Sequence, residues 1–191
     1  MEITFDPEKH QYWLDGKPAT SVTTVLKEFR VIDDRFFNEE ARERGTYVHK
    51  ATELIDQGYS ILEYYEGDDY YPYIKAYCDF KSSQSFEPVW IEKKLGNLEW
   101  LIAGTADRIG ILNGKEILLD IKTGAKAKSH GLQLAAYNLL DENNISRPRA
   151  CLHLTSKGRW NIEPYTDPND YAVFSGMAHV RRFWRLNGIV V

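Results

Sequence analysis

The stretch Leu118-Leu119-Asp120-Ile121-Lys122-Thr123-Gly124 decides how the chain is read. An apolar run gives way to charge at Asp120. The alternation of a strand puts Asp120 and Lys122 on one face and turns Ile121 into the core. A carboxylate and an ammonium together at a strand's end suit a cation and an anion at once. Asp120 can ligate a hard divalent metal, and Lys122 can hold a phosphate oxygen or orient an attacking water. A same-face salt bridge is the plainer alternative, because a lone D-x-K triplet carries little information.

The neighbouring strand adds a second acid. Asn113-Gly114 sits where a two-residue hairpin turn belongs, so Leu112 faces Lys115. Equal steps along both strands bring Asp107, in Gly104-Thr105-Ala106-Asp107-Arg108, opposite Asp120. Two carboxylates at neighbouring strand ends repel unless a cation bridges them. The alternative is an ordinary solvated turn at Asp107-Arg108.

His49 lies in Arg44-Gly45-Thr46-Tyr47-Val48-His49-Lys50, within a helix capped by Asn38 and ended by Gly58. Its imidazole can complete a site with two carboxylates of the kind that suits Mn²⁺ or Mg²⁺. A satisfied core histidine is the alternative. Gln133 and Tyr137, four apart on the helix that follows the D-x-K strand, share one side of it. That side can bind phosphate or orient Lys122, or can be an incidental polar edge.

Further out, Ile3/Phe5 and Tyr12/Leu14 alternate as a hairpin, with Asp15-Gly16 as a turn pair. Ser21 caps a short helix over residues 22–29. Residues 59–73 read as an acidic, tyrosine-rich loop, and a helix follows to about Ser83. Strands are expected over 88–95, 98–105, 106–112 and 115–121, with Gly96-Asn97 as a hairpin turn. A helix over 129–141, strands over 150–155 and 159–165, and a last helix from Asp167-Pro168 to about Leu186 complete the order. The expected fold class is α/β, with a central mixed sheet flanked by helices. One domain spans residues 1–191: an N-terminal hairpin and short helix (1–35), a core (38–165) and a C-terminal helix (167–188).

Composition fits such a domain. The 191 residues are 43% hydrophobic and 27% charged, which excludes a mostly disordered chain. Net charge is −4, but residues 1–70 carry −8 and residues 71–191 carry +4. That balance excludes a general polyanion binder and leaves room for a local basic groove around acidic metal ligands. No run approaches a membrane span, and the first residues lack the apolar or Arg-rich pattern of a targeting peptide, so an intracellular protein is expected. Cys78 and Cys151 form no CxxC pair, so neither a cysteine zinc site nor a four-cysteine iron–sulfur cluster is expected.

Four stretches in order, Gly45–His49, Gly104–Arg108, Asp120–Gly124 and Gln133–Tyr137, resemble the PD-(D/E)XK nuclease superfamily in its RecB-like exonuclease branch. Phe5-Asp6-Pro7, Leu14-Asp15-Gly16 and Ser21–Leu26 resemble small phage-type and mitochondrial members. The resemblance covers roughly residues 1–165 and implies a restriction-endonuclease-like core. It implies Mg²⁺ or Mn²⁺, one or two ions, held by His49, Asp107, Asp120 and the Ile121 carbonyl. Lys122 would be the catalytic lysine, with Gln133 and Tyr137 beside the scissile phosphate. Glu92 matches the family's strand acid, whose role varies, and is expected behind the metal ligands. Arg44, Lys126 and Lys128 would grip backbone phosphates. The implied activity is metal-assisted DNA hydrolysis, as an exonuclease on single strands or duplex ends in replication, recombination or repair, with a partner protein from one of those processes. For a phage protein the location would be the host cytoplasm. A restriction-type or structure-specific endonuclease, or a non-catalytic nucleic-acid-binding module, are the alternatives.

Overall fold

The computed structural model describes residues 1–32, 38–143 and 146–189. Residues 33–35 of the expected N-terminal segment lie outside the described residues. The elements run β1 (Ile3–Asp6), β2 (Gln11–Leu14), β3 (Lys17–Ser21), α1 (Val22–Glu28), α2 (Glu39–Asp56), α3 (Tyr71–Gln84), β4 (Glu87–Asn97), β5 (Ile102–Leu112), β6 (Lys115–Lys122), α4 (Ser129–Leu140), β7 (Arg149–Leu154), β8 (Trp160–Pro164) and α5 (Asn169–Leu186). Eight strands form one mixed sheet in the order β1-β2-β3-β5-β6-β7-β8, and β4 pairs with β5. One core lies between the sheet and α1, α4 and α5, and includes Val25, Leu118, Leu134 and Phe174. The other joins α2 and α3 to the sheet, through Val48, Tyr77, Phe80 and Ile121.

Local sequence accounts for most boundaries. Ser21 Oγ accepts the Thr24 N–H, and Asn38 Oδ1 accepts the Ala41 N–H, each satisfying a donor that the helix start leaves free. Asp15 and Gly16 both take positive φ, as a tight turn between twisted strands requires. That turn does not follow an isolated hairpin. It leads into β3, so the N-terminal hairpin is the start of a three-stranded meander whose third strand joins the main sheet.

Two of the expected boundaries move. Gly96-Asn97 is not a turn. Both residues continue β4, whose partners run to Asn97↔Ile102, and the chain reverses at 98–101. Gly96 is small for a packing reason: a Cβ there would stand 2.6 Å from Leu14 Cδ2. The turn is instead held by Asn97 Oδ1, which accepts the Trp100 N–H. In consequence, residues expected as two strands, 98–105 and 106–112, form the single long strand β5.

The sheet divides along one edge of β5. β4 follows the opposite edge along nearly its whole length. On the dividing edge, β6 pairs antiparallel with residues 108–112, while β3 pairs parallel with Ile102 and Ala103. Residues 104–107 lie in the gap where β3 and β6 separate, and this opening holds the candidate site.

Candidate metal and phosphate site

The β5–β6 register is the expected one, with Leu112↔Lys115 through Arg108↔Leu119. The same offset one step further sets Asp107 beside Asp120. There the backbone ladder stops, and Asp107 Oδ2 accepts the Ile121 N–H at 2.7 Å. A side chain thus replaces a ladder carbonyl at the point where the strands part.

His49 reaches the same point from α2. One ring nitrogen, Nε2, lies 2.9 Å from the Ile121 carbonyl oxygen. A carbonyl can only accept, so Nε2 carries the hydrogen. The other nitrogen, Nδ1, faces Asp107 Oδ2 at 3.6 Å. Fixing a histidine through one nitrogen so that the other is presented is a common arrangement around metals. The Ile121 carbonyl, expected as a ligand itself, is engaged in holding His49.

Glu92 completes the group. Ligand atoms of His49, Glu92 and Asp107 all lie within 4.8 Å of one another. Glu92 is therefore beside the other two rather than behind them. It has φ +49°, a left-handed conformation that a glutamate seldom adopts and that costs of order 1–3 kcal/mol. Asp120 does not join this group. Its Oδ2 lies 2.6 Å from Lys122 Nζ. Lys122 Nζ also donates to Gln133 Oε1 at 3.2 Å, and Gln133 Nε2 donates to the Tyr137 hydroxyl at 2.9 Å. The four residues form one chain from strand to helix.

The electrostatics follow from burial. Desolvation, then the neighbouring Asp107 carboxylate, pushes Glu92 up to about 7. Burial raises Asp107 as well; His49 opposes that rise and Asp120 adds to it. Burial would lower Lys122, but Asp120 and Asp107 outweigh it and hold the ammonium above its ordinary range. Lys122 is thus a fixed positive charge near neutral pH and not a proton acceptor.

A groove of about 640 Å³ opens beside this group, and Arg44, His49, Lys122, Lys126, His130 and Gln133 are among its walls. Arg44 Nε is buried with no hydrogen-bond partner, and Lys126 lies 3.0 Å from Glu163 Oε2. Lys128 is exposed at the start of α4 and outside the groove lining. Tyr137 is only 5% exposed. It lies behind Gln133, against Gly104, where a Cβ would come 2.7 Å from its ring. The tyrosine-rich stretch packs in part against α2: Tyr65 and Tyr70 meet the Tyr47 ring edge-on and the Tyr47 hydroxyl donates to Asp68, while Tyr59 and Tyr64 are exposed.

Arg108 and Asp56 escaped the sequence reading. Arg108 is fully buried. Its Nε donates to Asp56 Oδ2 at 2.5 Å, its Nη1 to Glu92 Oε1 at 3.0 Å and to the Asp107 carbonyl at 2.6 Å. Asp56 also accepts from Tyr77 and Lys81. The arginine therefore sets Glu92 and the Asp107 backbone in place from behind. The periodicity of α2 gives a weak hint of Asp56, the last residue before the helix cap. Nothing in the local pattern marks Arg108 as buried.

The raised Glu92 pKa makes a testable statement. The folded chain keeps a proton up to about pH 7 that an unfolded carboxyl releases near 4.3. Stability from neutral Glu92 is therefore complete below about pH 4 and lost as pH rises through about 7. Without added cation, Glu92→Gln is expected to melt progressively higher than the parent as pH rises from 5 to 8. Mg²⁺ or Mn²⁺ at about 100 times Kd should raise the parent's Tm at pH 8 by roughly 5–10 °C. The rise should be smaller at pH 6 and largely absent in Glu92→Gln. Equal cation shifts in the two proteins would remove Glu92 from the cation group.

No family model and no curated protein matches the chain. Among solved structures, the crystal structure of SSO0001 is similar at 21% identity and a TM-score of 0.36, over 84% of this chain and 82% of that one. No helix among the described residues is long and apolar enough to cross a membrane.

Proposed function

We propose that the protein is a Mg²⁺- or Mn²⁺-dependent deoxyribonuclease, an exonuclease acting on single strands or duplex ends. One observation carries the reading. His49, Glu92 and Asp107 converge within 4.8 Å, beside an Asp120–Lys122 pair, and His49 and Lys122 face a groove that Arg44 and Lys126 also line. A buried and a half-buried carboxylate whose proton affinities are both raised form a set that a hard divalent cation relieves. The donors fit such an ion: carboxylate oxygens with one imidazole.

A cation bound there would supply a water of lowered pKa and neutralise charge on the phosphate. The chain's own residues do the rest. His49 is oriented by the Ile121 carbonyl, and Asp107 by the Ile121 N–H. Lys122, kept charged by Asp120, holds a non-bridging phosphate oxygen and stabilises negative charge as it builds up. Gln133 fixes Lys122 from α4 and presents its amide to the groove. Arg44 and Lys126 hold flanking phosphates, so binding weakens as salt rises. The likeness of the four motifs to RecB-like exonucleases favours end-dependent cleavage and a role in DNA replication, recombination or repair, inside the cell and alongside a protein partner from those processes.

The test is a gel ladder of DNA labelled at the 5′ or the 3′ end, single- or double-stranded, with Mg²⁺, Mn²⁺ or chelator. Cation-dependent shortening of linear DNA is expected, while covalently closed circles stay intact. Cleavage of the circles would overturn end dependence, and intact linear DNA under every condition would overturn the nuclease reading.

A further inference from the structure

One strand away from the carboxylates lies a softer set of ligands. β7 runs parallel to β6 with Asp120↔Cys151 and Lys122↔His153 as partners. Cys151 and His153, two apart on a strand, share a face. His130, in the first turn of α4, comes down on them. Ligand atoms of His130, Cys151 and His153 all lie within 4.8 Å of one another.

Hydrogen-bond bookkeeping picks out the ring atoms. Gly124 O, an acceptor only, lies 3.4 Å from His153 Nδ1, so that nitrogen carries the hydrogen and Nε2 keeps a lone pair. His153 Nε2 is buried and has no hydrogen-bond partner, although His153 is only 6% exposed. It faces Glu163 Oε2 at 3.3 Å, and that oxygen is buried without a hydrogen-bond partner too. Lys126 Nζ approaches the same oxygen, outside hydrogen-bonding geometry. Lys126 balances the carboxylate charge at 3.0 Å, but the His153 Nε2 and Glu163 Oε2 atoms, 3.3 Å apart, stand at the separation of two ligands on one small cation. On His130 the logic repeats. The Tyr165 hydroxyl donates to the Ala127 carbonyl, so its oxygen accepts from His130 Nδ1, and Nε2 is left with the lone pair.

We propose that His130, Cys151 and His153 form a zinc site, with Glu163 or a water as fourth ligand. One thiolate with two imidazoles is a donor set for Zn²⁺ and a poor one for Mg²⁺. Ligand atoms in a tetrahedral zinc site stand about 3.3–3.8 Å apart, given bonds of about 2.0–2.3 Å. Closing from within 4.8 Å asks only for small side-chain rotations. The missing CxxC pair does not bear on such a set, because the fold brings one cysteine to two histidines, one on the same strand and one on α4. Binding releases the Cys151 proton to solvent and forms the metal–sulfur bond, with no change of oxidation state. The set borders the Asp120–Lys122 pair, with Cys151 Sγ 3.9 Å from Asp120 Oδ2, but shares no ligand with the hard-cation group and does not depend on the nuclease reading.

The test uses Co²⁺ as a spectroscopic substitute for Zn²⁺ on the full chain, with folding followed by circular dichroism. The parent should show a thiolate-to-cobalt charge-transfer band and the visible bands of four-coordinate cobalt, all bleached by Zn²⁺ and unmoved by excess Mg²⁺. Cys151→Ser should lose the thiolate band, whereas Cys78→Ser and Asp107→Asn keep it. Glu163→Gln should weaken cobalt binding about 10–100-fold, whether it ligates directly or supports His153. A folded parent with no thiolate band, or a band that survives Cys151→Ser, overturns the proposal.

Discussion

Arg108→Ala is expected to lower the melting temperature by about 6–20 °C, from a loss of roughly 3–5 kcal/mol in a domain of this size. The magnitude follows from what the guanidinium holds. It is fully buried and bonded to Asp56, Glu92, Thr52 and the Asp107 carbonyl. Removing it opens a cavity and strips the fork-shaped donor from two carboxylates at once. Asp56 keeps Lys81 and Tyr77, which limits the cost, but Glu92 loses the neighbour that holds its side chain. Arg108→Lys separates charge from geometry. A lysine keeps the positive charge yet cannot span Asp56 and Glu92 together. It should fall between parent and alanine in Tm, and it should reduce the cation-induced rise as well. Thermal melts of the three proteins with and without Mn²⁺ check both halves. A loss below about 2 °C in Arg108→Ala would show that the buried network does not stabilise the fold as argued.

That network also marks the limit of reading this chain as a sequence. Alternation and turn chemistry are local, and they were enough for the Asp107–Asp120 juxtaposition. Asn113-Gly114 fixes the hairpin offset, and the offset fixes the pair. Caps at Ser21 and Asn38 were legible for the same reason. Gly96 misled because a glycine can serve a turn or a close approach, and only the distant Leu14 side chain decides which. Glu92 is expected behind the ligands because the role of the family's strand acid varies, and its approach to His49 and Asp107 depends on a left-handed residue within a strand, which no periodicity encodes. Arg108 looks like a solvated charge until Asp56, some fifty residues earlier, is placed beneath it. The His130–Cys151–His153 set exists only once the start of α4 is laid over β7. The division of the sheet at residues 104–107 likewise depends on β3, a strand whose role appears only when its parallel partner is known.

Lys122→Met should reduce nuclease activity by about 10²–10³-fold, the typical effect of deleting one group that stabilises transition-state charge. The same variant should keep most of the cation-induced rise in Tm, because the cation group is His49, Glu92 and Asp107 and not Lys122. This split between chemistry and metal binding is the informative part. Asp107→Asn should lose both, since Asp107 faces His49 and anchors the Ile121 N–H. Lys122→Met carries a stability cost, as buried Asp120 is left without its ion-pair partner at 2.6 Å. Rates are therefore compared well below the variant's own Tm. The pH profile adds a second readout. In the parent, Asp120 and Asp107 hold the lysine charged beyond neutral pH, so at cation concentrations below saturation, activity that rises toward neutral pH follows Glu92 exchanging its proton for the cation and not Lys122. Glu92→Gln should flatten that rise, and Lys122→Arg should leave its midpoint in place. Activity within tenfold of the parent in Lys122→Met would remove the lysine from the chemistry, and a cation shift lost in that variant would mean that Lys122 and the metal group cannot be separated as the geometry requires.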